Sequence, residues 1–319
     1  MELQATPTIN VLIELSTYAV AAITLTHAWR RAPYFMFLML AAMLFGFIAE
    51  YTAVSSTPQP YHYPQALIAL PGPVPLNICL GWGIIIYAAL QTAIRLRVNE
   101  WLRPLVAAFL AVIIDFVEDP PFVAMDMWVW TPSYPDAWFG IPWSNYLGWF
   151  LIVITFLLSF QLLARRFPLG QHLWRDAVIT FVAIIPSFIA FMICIKTFLW
   201  LAGLGIAWLN QALMIMLLFI ICAIPVLRAL PNMARDNKVD WVIVMVPAYM
   251  YVWSIIGFFK TELYLHSQAL VIVMPIIITV GMLGYLWPSL NVLFPSVQKN
   301  ITQTNNESAA GDARVQENN

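Results

Sequence analysis

Charged residues are scarce in this sequence. They make up 10% of its 319 residues, whereas a soluble domain carries about 25%. Hydrophobic residues make up 62%, and apolar runs of about twenty residues recur along the chain. This composition excludes a soluble globular domain and a basic nucleic-acid-binding surface. It predicts an all-α, polytopic transmembrane helical bundle, because a helix satisfies its own backbone polar groups inside a bilayer.

Cysteine is scarce as well. Cys79, Cys194 and Cys222 all fall within apolar runs, which excludes a disulfide framework. The sequence also lacks the Cys/His spacing of a zinc site and the glycine-rich loop that binds phosphate. We therefore predict no metal and no cofactor.

Basic residues are missing from the long stretch between Arg103 and Arg165. The same stretch holds five of the chain's 16 acidic residues and five of its 14 tryptophans. A concentration of carboxyl and aromatic groups without cations predicts the polar end of a membrane-embedded pocket. These residues are Asp115, Glu118, Asp119, Asp126, Asp136, Trp128, Trp130, Trp138, Trp143 and Trp149.

Three of these acids form a local cluster. Asp115, Glu118 and Asp119 lie at positions i, i+3 and i+4, which share one face of a helix. Pro120 and Pro121 follow and are expected to end the helix, because proline lacks the amide donor. The acids would then occupy the last turn, which already carries partial negative charge, so they should not all be ionised. The alternative is a solvated helix end with ordinary surface acids.

The charge of the predicted loops alternates, which tests the span count independently of hydropathy. Basic residues follow spans one, three, five and seven, whereas the loops after spans two, four and six contain none. The positive-inside rule then places the amino terminus outside and the carboxyl terminus inside. About nine spans, within a range of seven to nine, are predicted at residues 9–28, 33–54, 74–96, 101–119, 144–164, 176–202, 207–229, 239–259 and 268–288.

Residues 1–298 are predicted to form a single transmembrane domain. The segment 299–319 is polar, rich in Asn and Gln, and free of aromatic residues. It is expected to be a disordered cytoplasmic tail.

Polar residues within the spans are predicted to gather in the outer half of the membrane. A charged group at that depth costs roughly a few kcal/mol unless it is paired, wetted or protonated, so it usually faces a cavity or a partner. Glu14, in the outer half of span one, is one member of the group. Lys196, deep in span six, is expected to snorkel or to pair with a buried acid. The other members are Glu50, Asn77, Asp115, Glu118, Asp119 and Asn145.

Several motifs follow one another in a recognisable order between residues 27 and 149. They are His27, Glu50, Tyr61, Tyr63, the segment PGPVPLNICLGWGIIIYAA, Asp115, the step from Asp119 to Pro120, the triplet WVW, Tyr134 and the segment FGIPWSNYLGW. This order resembles the integral-membrane carotenoid biosynthesis proteins, the family that includes the carotenoid 1,2-hydratases. The last segment is the most specific part of the resemblance.

The resemblance implies a cofactor-independent enzyme that hydrates a terminal isoprenoid double bond of a carotenoid. Such a reaction needs a protonated carboxyl as acid, aromatic faces that stabilise a tertiary cation, and a polar group that orients water. Asp115 is the preferred acid, Asp119 is expected to position water, and Glu50 is the next candidate acid. His27 is expected to anchor the interface, and Glu118 to point towards the headgroups, although both are further site candidates. The substrate-binding candidates are Asn77, Trp82, Trp128, Trp130, Tyr134, Asn145 and Trp149.

The sequence leaves three alternatives open. A carotenoid or terpenoid cyclase would use the same protonation but trap the cation with an alkene. A proton-coupled secondary transporter would also need buried acids, although the sequence shows no inverted repeat. The third alternative is a membrane subunit without an active site. The expected partners are a long isoprenoid in a bacterial or archaeal cell membrane and other carotenoid enzymes, with no nucleic acid.

Overall fold

Long apolar helices make up most of the structure, a computed structural model that describes residues 7–131, 137–206, 210–230 and 238–289. Eight helical segments within these ranges are long and apolar enough to cross a membrane. The helices are α1 (Pro7–Arg31), α2 (Pro33–Val54), α3 (Leu76–Arg95), α4 (Arg103–Ala124), α5 (Trp143–Arg166), α6 (Leu173–Val182), α7 (Ile184–Ala202), α8 (Gln211–Ala229), α9 (Trp241–Lys260), α10 (Leu263–His266) and α11 (Gln268–Leu286).

Helix α4 is the one predicted span that is not among these eight segments. It has 22 residues, about 33 Å of helix, but it contains Arg103 and the three clustered acids. It lies in the middle of the bundle, where it packs against α3, α5, α9 and α11. With α4, each of the nine predicted spans corresponds to a helical segment, and the prediction of an all-α polytopic bundle is confirmed. The orientation of the termini stays a prediction.

The predicted end of span four was wrong. The helix runs through Pro120 and Pro121 and ends at Ala124, so the acids lie about one turn before its last turn. A proline removes only its own amide donor, and here the main-chain oxygen freed by Pro120, that of Phe116, has another partner. The Trp138 indole Nε1 donates to it at 3.3 Å. The acids therefore avoid the negative end of the α4 dipole.

The sixth predicted span is divided into two helices. Helices α6 and α7 meet at Ala183, and the proline at position 186 follows within the first turn of α7. Pro186 has no amide hydrogen with which to bond the Val182 carbonyl four residues earlier, which accounts for the interruption.

Two loops at one end of the bundle are joined by short strands. Strand β1 (Tyr61–His62) pairs antiparallel with β4 (Val129–Trp130), and the Thr131 amide donates to the Pro60 carbonyl at 2.8 Å. Strands β2 (Ala69–Leu70) and β3 (Val74–Pro75) form a second pair. We call these two loops, residues 55–75 between α2 and α3 and residues 125–131 after α4, the roof. Residues 290–319, which include the predicted tail, lie outside the described residues.

Candidate active site

A narrow cavity of about 70 Å³ lies beneath the roof, among α1, α2, α3, α4, α5 and α9. We call it the inner cavity. Nine of the predicted site residues line it: Glu50, Asn77, Trp82, Glu118, Asp119, Trp128, Trp130, Asn145 and Trp149. The structure thus brings together residues that are up to 99 positions apart in the sequence. Tyr134 lies outside the described residues.

Asp115 and Asp119 are linked through one amide group. Asn145 Nδ2 donates to Asp119 Oδ2 at 2.5 Å and to Asp115 Oδ2 at 3.0 Å. Asp119 is 2% exposed and lines the inner cavity, whereas Asp115 is fully buried and lies behind this wall. Two carboxyl groups this close and buried, without an ion-pair partner among the described residues, cannot both carry a charge without a large desolvation penalty. The pair therefore holds at least one proton.

Glu50 has a different environment. Its Oε2 accepts hydrogen bonds from Tyr61 and, at 2.7 Å, from Tyr63, and its Oε1 accepts from Trp82 Nε1 at 2.9 Å. Three donors favour the charged form of a carboxyl group. Both carboxyl oxygen atoms of Glu50 are thus held by donors in the cavity wall.

Tyr61 and Tyr63 belong to the roof and are partly buried, with their hydroxyl groups bonded to Glu50. Burial and then the neighbouring Glu50 carboxylate raise the pKa of both phenols well above their ordinary value of about 10. They remain neutral donors to Glu50 over the whole physiological pH range.

The structure contradicts the expectation that Glu118 points to the headgroups. Its side chain is 7% exposed and lines the inner cavity. Helix α4 continues to Ala124, so Glu118 lies within the helix and not at its end. Glu118 Oε2 and Asn77 Oδ1 have no hydrogen-bond partner among the described residues. Buried polar atoms that face a cavity of this size are suited to binding water.

Aromatic rings form much of the remaining wall. The rings of Trp82 and Trp149 lie 4.3 Å apart between centroids, and those of Tyr61 and Trp130 lie 4.8 Å apart. Trp82 packs directly over Gly46 of α2, where any Cβ would overlap the indole. Aromatic faces beside a carboxylate can stabilise a transient carbocation.

Three predicted polar residues lie away from the inner cavity. Glu14 accepts from the Leu67 amide at 2.8 Å and so ties α1 to the roof. His27, about 15 Å further along α1 than Thr17 of the cavity wall, bonds the Tyr87 hydroxyl at 2.9 Å. Its place at the opposite end of the bundle agrees with the anchoring role. Lys196 is exposed on α7, in agreement with snorkelling.

Sequence reasoning missed the contribution of α1 and α9 to the wall. The Tyr249 hydroxyl bonds Thr17 Oγ1 at 2.7 Å and the Ile13 carbonyl at 3.0 Å, and these three residues line the inner cavity with Met250. No sequence signal distinguished them, since each lies in an apolar run without a motif. Among the described residues, no group of three His, Cys, Asp or Glu side chains is placed to hold a metal ion.

A family model described as carotenoid biosynthesis protein matches residues 8–218, about two thirds of the chain. The chain belongs to this family. The match confirms the resemblance drawn from residues 27 to 149 and extends it through α7 into α8. Membership supports a role of this membrane protein in carotenoid biosynthesis and an isoprenoid substrate. No curated protein and no solved structure matches the chain.

Proposed function

We propose that the protein is a carotenoid hydratase that adds water across a terminal isoprenoid double bond of a carotenoid in a bacterial or archaeal cell membrane. The observation that carries the proposal is the proton-holding Asp115–Asp119 pair beside an aromatic wall and the Glu50 carboxylate. Family membership supports the isoprenoid substrate, and the geometry supports acid chemistry that needs no cofactor.

Asp119 is the proton donor in this proposal. It faces the inner cavity, whereas Asp115 lies behind it and acts through Asn145. We therefore assign the acid to Asp119 in place of Asp115, and the positioning of water to other residues of the wall. The Asp119 proton forms a C–H bond at the less substituted alkene carbon, and the π electrons leave a tertiary cation on the neighbouring carbon. Asp119 is then a carboxylate, and Asn145 Nδ2 donates to it.

Different residues of the cavity wall stabilise the cation and hold the water. The Glu50 carboxylate and the tryptophan faces stabilise the cation. Water held by the free oxygen atoms of Glu118 and Asn77 attacks the cation and forms the C–O bond. The excess proton of the resulting oxonium returns to Asp119, so that one water is added and the acid is regenerated.

The test is product formation in membranes that contain an acyclic carotenoid, with the product identified by mass. Asp119→Asn should lower turnover by at least about 100-fold, the lower range for a general acid. Asp115→Asn should cause a smaller loss, because the pair keeps one acidic group at the wall. Glu118→Gln should also lower turnover, since Glu118 lines the inner cavity.

Asp126→Asn is the matched control. Asp126 is exposed, has a φ of 56° that asparagine tolerates, and lies in the loop that follows α4. It should retain full turnover at equal expression. Near-normal turnover of the double variant Asp115→Asn with Asp119→Asn would contradict the proposal. A product of unchanged mass but altered absorption would show cyclisation instead.

A further inference from the structure

A second, wider cavity adjoins the inner one. This outer chamber has a volume of about 300 Å³ and lies between α2, α5 and α7. The two cavities share six wall residues, so they are neighbours with these side chains at their boundary. The shared residues are Glu50, Tyr61, Trp82, Trp130, Asn145 and Trp149.

The far wall of the outer chamber is mainly apolar, with Lys196 as its one charged residue, and lies on the membrane side of the bundle. Ile152 of α5 and Phe191, Met192, Ile195 and Leu199 of α7 line it. Leu199 is 46% exposed, and most of the other outward residues of α7 are also apolar, with Lys196 and Thr197 as polar exceptions. Helix α7 packs more extensively on α5 than on α2. The chamber therefore has its weakest closure between α2 and α7, where a bilayer would meet it.

Two helical glycines leave space in the walls of these two cavities. A Cβ built on Gly148 of α5 or on Gly81 of α3 would meet no atom within 4 Å. Gly148 lines the outer chamber, and Gly81 lines the inner cavity. Glycine in a helix interior is unfavourable relative to alanine, and here no close backbone approach requires it. The missing side chains instead widen the path that leads to the acids.

We infer that an acyclic polyene enters sideways from the bilayer between α2 and α7, end group first, and lies along α5 past Gly148. Its terminal unit passes Trp149 and reaches the inner cavity beside Gly81, while the rest of the chain stays in the outer chamber and the membrane. This inference rests on the proposed function for its substrate class. It assigns Gly148 and Gly81 as the residues that set the width of the path.

The experiment measures binding and turnover separately. Purified protein in lipid nanodiscs is loaded with lycopene, an acyclic carotenoid, and the retained pigment is measured by its absorbance. Gly148→Leu should lower retention and turnover by at least about tenfold, because its side chain fills the chamber. Leucine favours helix over glycine, so the unfolding temperature should stay equal or rise, which separates blockage from misfolding. Gly148→Ala should raise the unfolding temperature and weaken retention less.

A matched pair on α7 tests the direction of entry. Ile195 lines the outer chamber, whereas Ile193 faces outward with 62% exposure. Ile195→Trp should slow pigment uptake at least about tenfold by narrowing the opening between α2 and α7. Ile193→Trp should take up pigment at the rate of the parent protein.

The outcomes separate this inference from the proposed reaction. Normal retention and turnover by Gly148→Leu would overturn the path, although the hydrated product would still form. Failure of the parent protein to retain lycopene would also overturn it. Retention that Gly148→Leu abolishes, without any change of pigment mass in the parent, would support the path and refute the hydration.

Discussion

Glu50 and Asp119 are both buried carboxyl groups in one cavity wall, yet their neighbours differ, and the proposed reaction gives them opposite roles. Glu50 receives three hydrogen bonds from phenol and indole groups, whereas Asp119 shares a single amide with a second acid. Donors favour a charged carboxylate, and a neighbouring acid favours a protonated one. At the scale of single residues, the division of labour follows from these partners and not from residue type.

The tyrosines of the roof give a prediction about alkaline pH. Tyr61→Phe with Tyr63→Phe removes two hydrogen bonds to a charged group, each contributing about 1.5–3 kcal/mol, so the variant should unfold at a lower temperature at neutral pH. Since burial raises the pKa of both phenols in the folded state, their contribution is complete below the unfolded pKa of about 10 and decreases as the pH rises above it. The difference in unfolding temperature between the parent protein and the variant should therefore decrease above about pH 10.

Unfolding temperatures of the purified proteins in detergent, measured across this pH range, check the expectation. A difference in unfolding temperature that stays constant, or that increases at alkaline pH, would show that the phenols are not held neutral in the folded state.

Much of the candidate site could be predicted from residues alone. The i, i+3, i+4 spacing placed Asp115, Glu118 and Asp119 on one face, and motif order brought Asn145 and Glu50 to them. Spacing does not specify which member of such a face meets a cavity. The position along the helix axis decides it, because Asp115 lies four residues, about 6 Å, before Asp119, and only Asp119 and Glu118 line the inner cavity.

At the scale of elements, α4 shows how a helix can continue through two prolines. The Phe116 carbonyl, freed by Pro120, accepts from Trp138 of the next loop, and the rings of Phe116 and Trp138 lie 5.2 Å apart. A contact from outside the helix thus replaces a bond within it. Local rules predicted the helix end at Pro120 because they contain no information about Trp138.

A double-mutant cycle tests this replacement. Trp138→Phe in the parent protein should lower the free energy of unfolding by about 1 kcal/mol beyond its packing loss, because the Phe116 carbonyl loses its donor. In a Pro120→Ala background the amide at position 120 can bond that carbonyl, so the same change should cost less. The measurement is the free energy of unfolding of the four proteins in detergent. Equal costs in the two backgrounds would show that the indole and the proline are not coupled.

The remaining elements were predictable to different degrees. Apolar runs located the nine helical segments because span length is imposed by the bilayer. The paired strands β1 and β4 were not predicted, since two residues of strand carry no periodicity and their pairing joins loops about 70 residues apart.

At the scale of the whole molecule, the orientation in the membrane is a prediction from loop charge. We expect Asp136 outside and Arg165 and Arg235 inside. The test is labelling of intact cells with an impermeant thiol reagent, using single cysteines at these positions in a protein whose three native cysteines have been replaced. Labelling at 136 but not at 165 or 235 is expected. The reverse pattern would turn the bundle over and place the roof in the cytoplasm.

Helix α4 has a further consequence for how the protein is made. An aspartate near the middle of a helix adds about 2.5–3.5 kcal/mol to the cost of insertion by the translocon, and α4 carries three acids in five residues. Its partners include α5, α9 and α11, which are synthesised after it. We therefore expect α4 to remain beside α3 or within the translocation machinery until the later helices have been synthesised and can shield its acids. The residues that equip the cavity for acid chemistry thus make correct biogenesis depend on the carboxyl-terminal half of the chain.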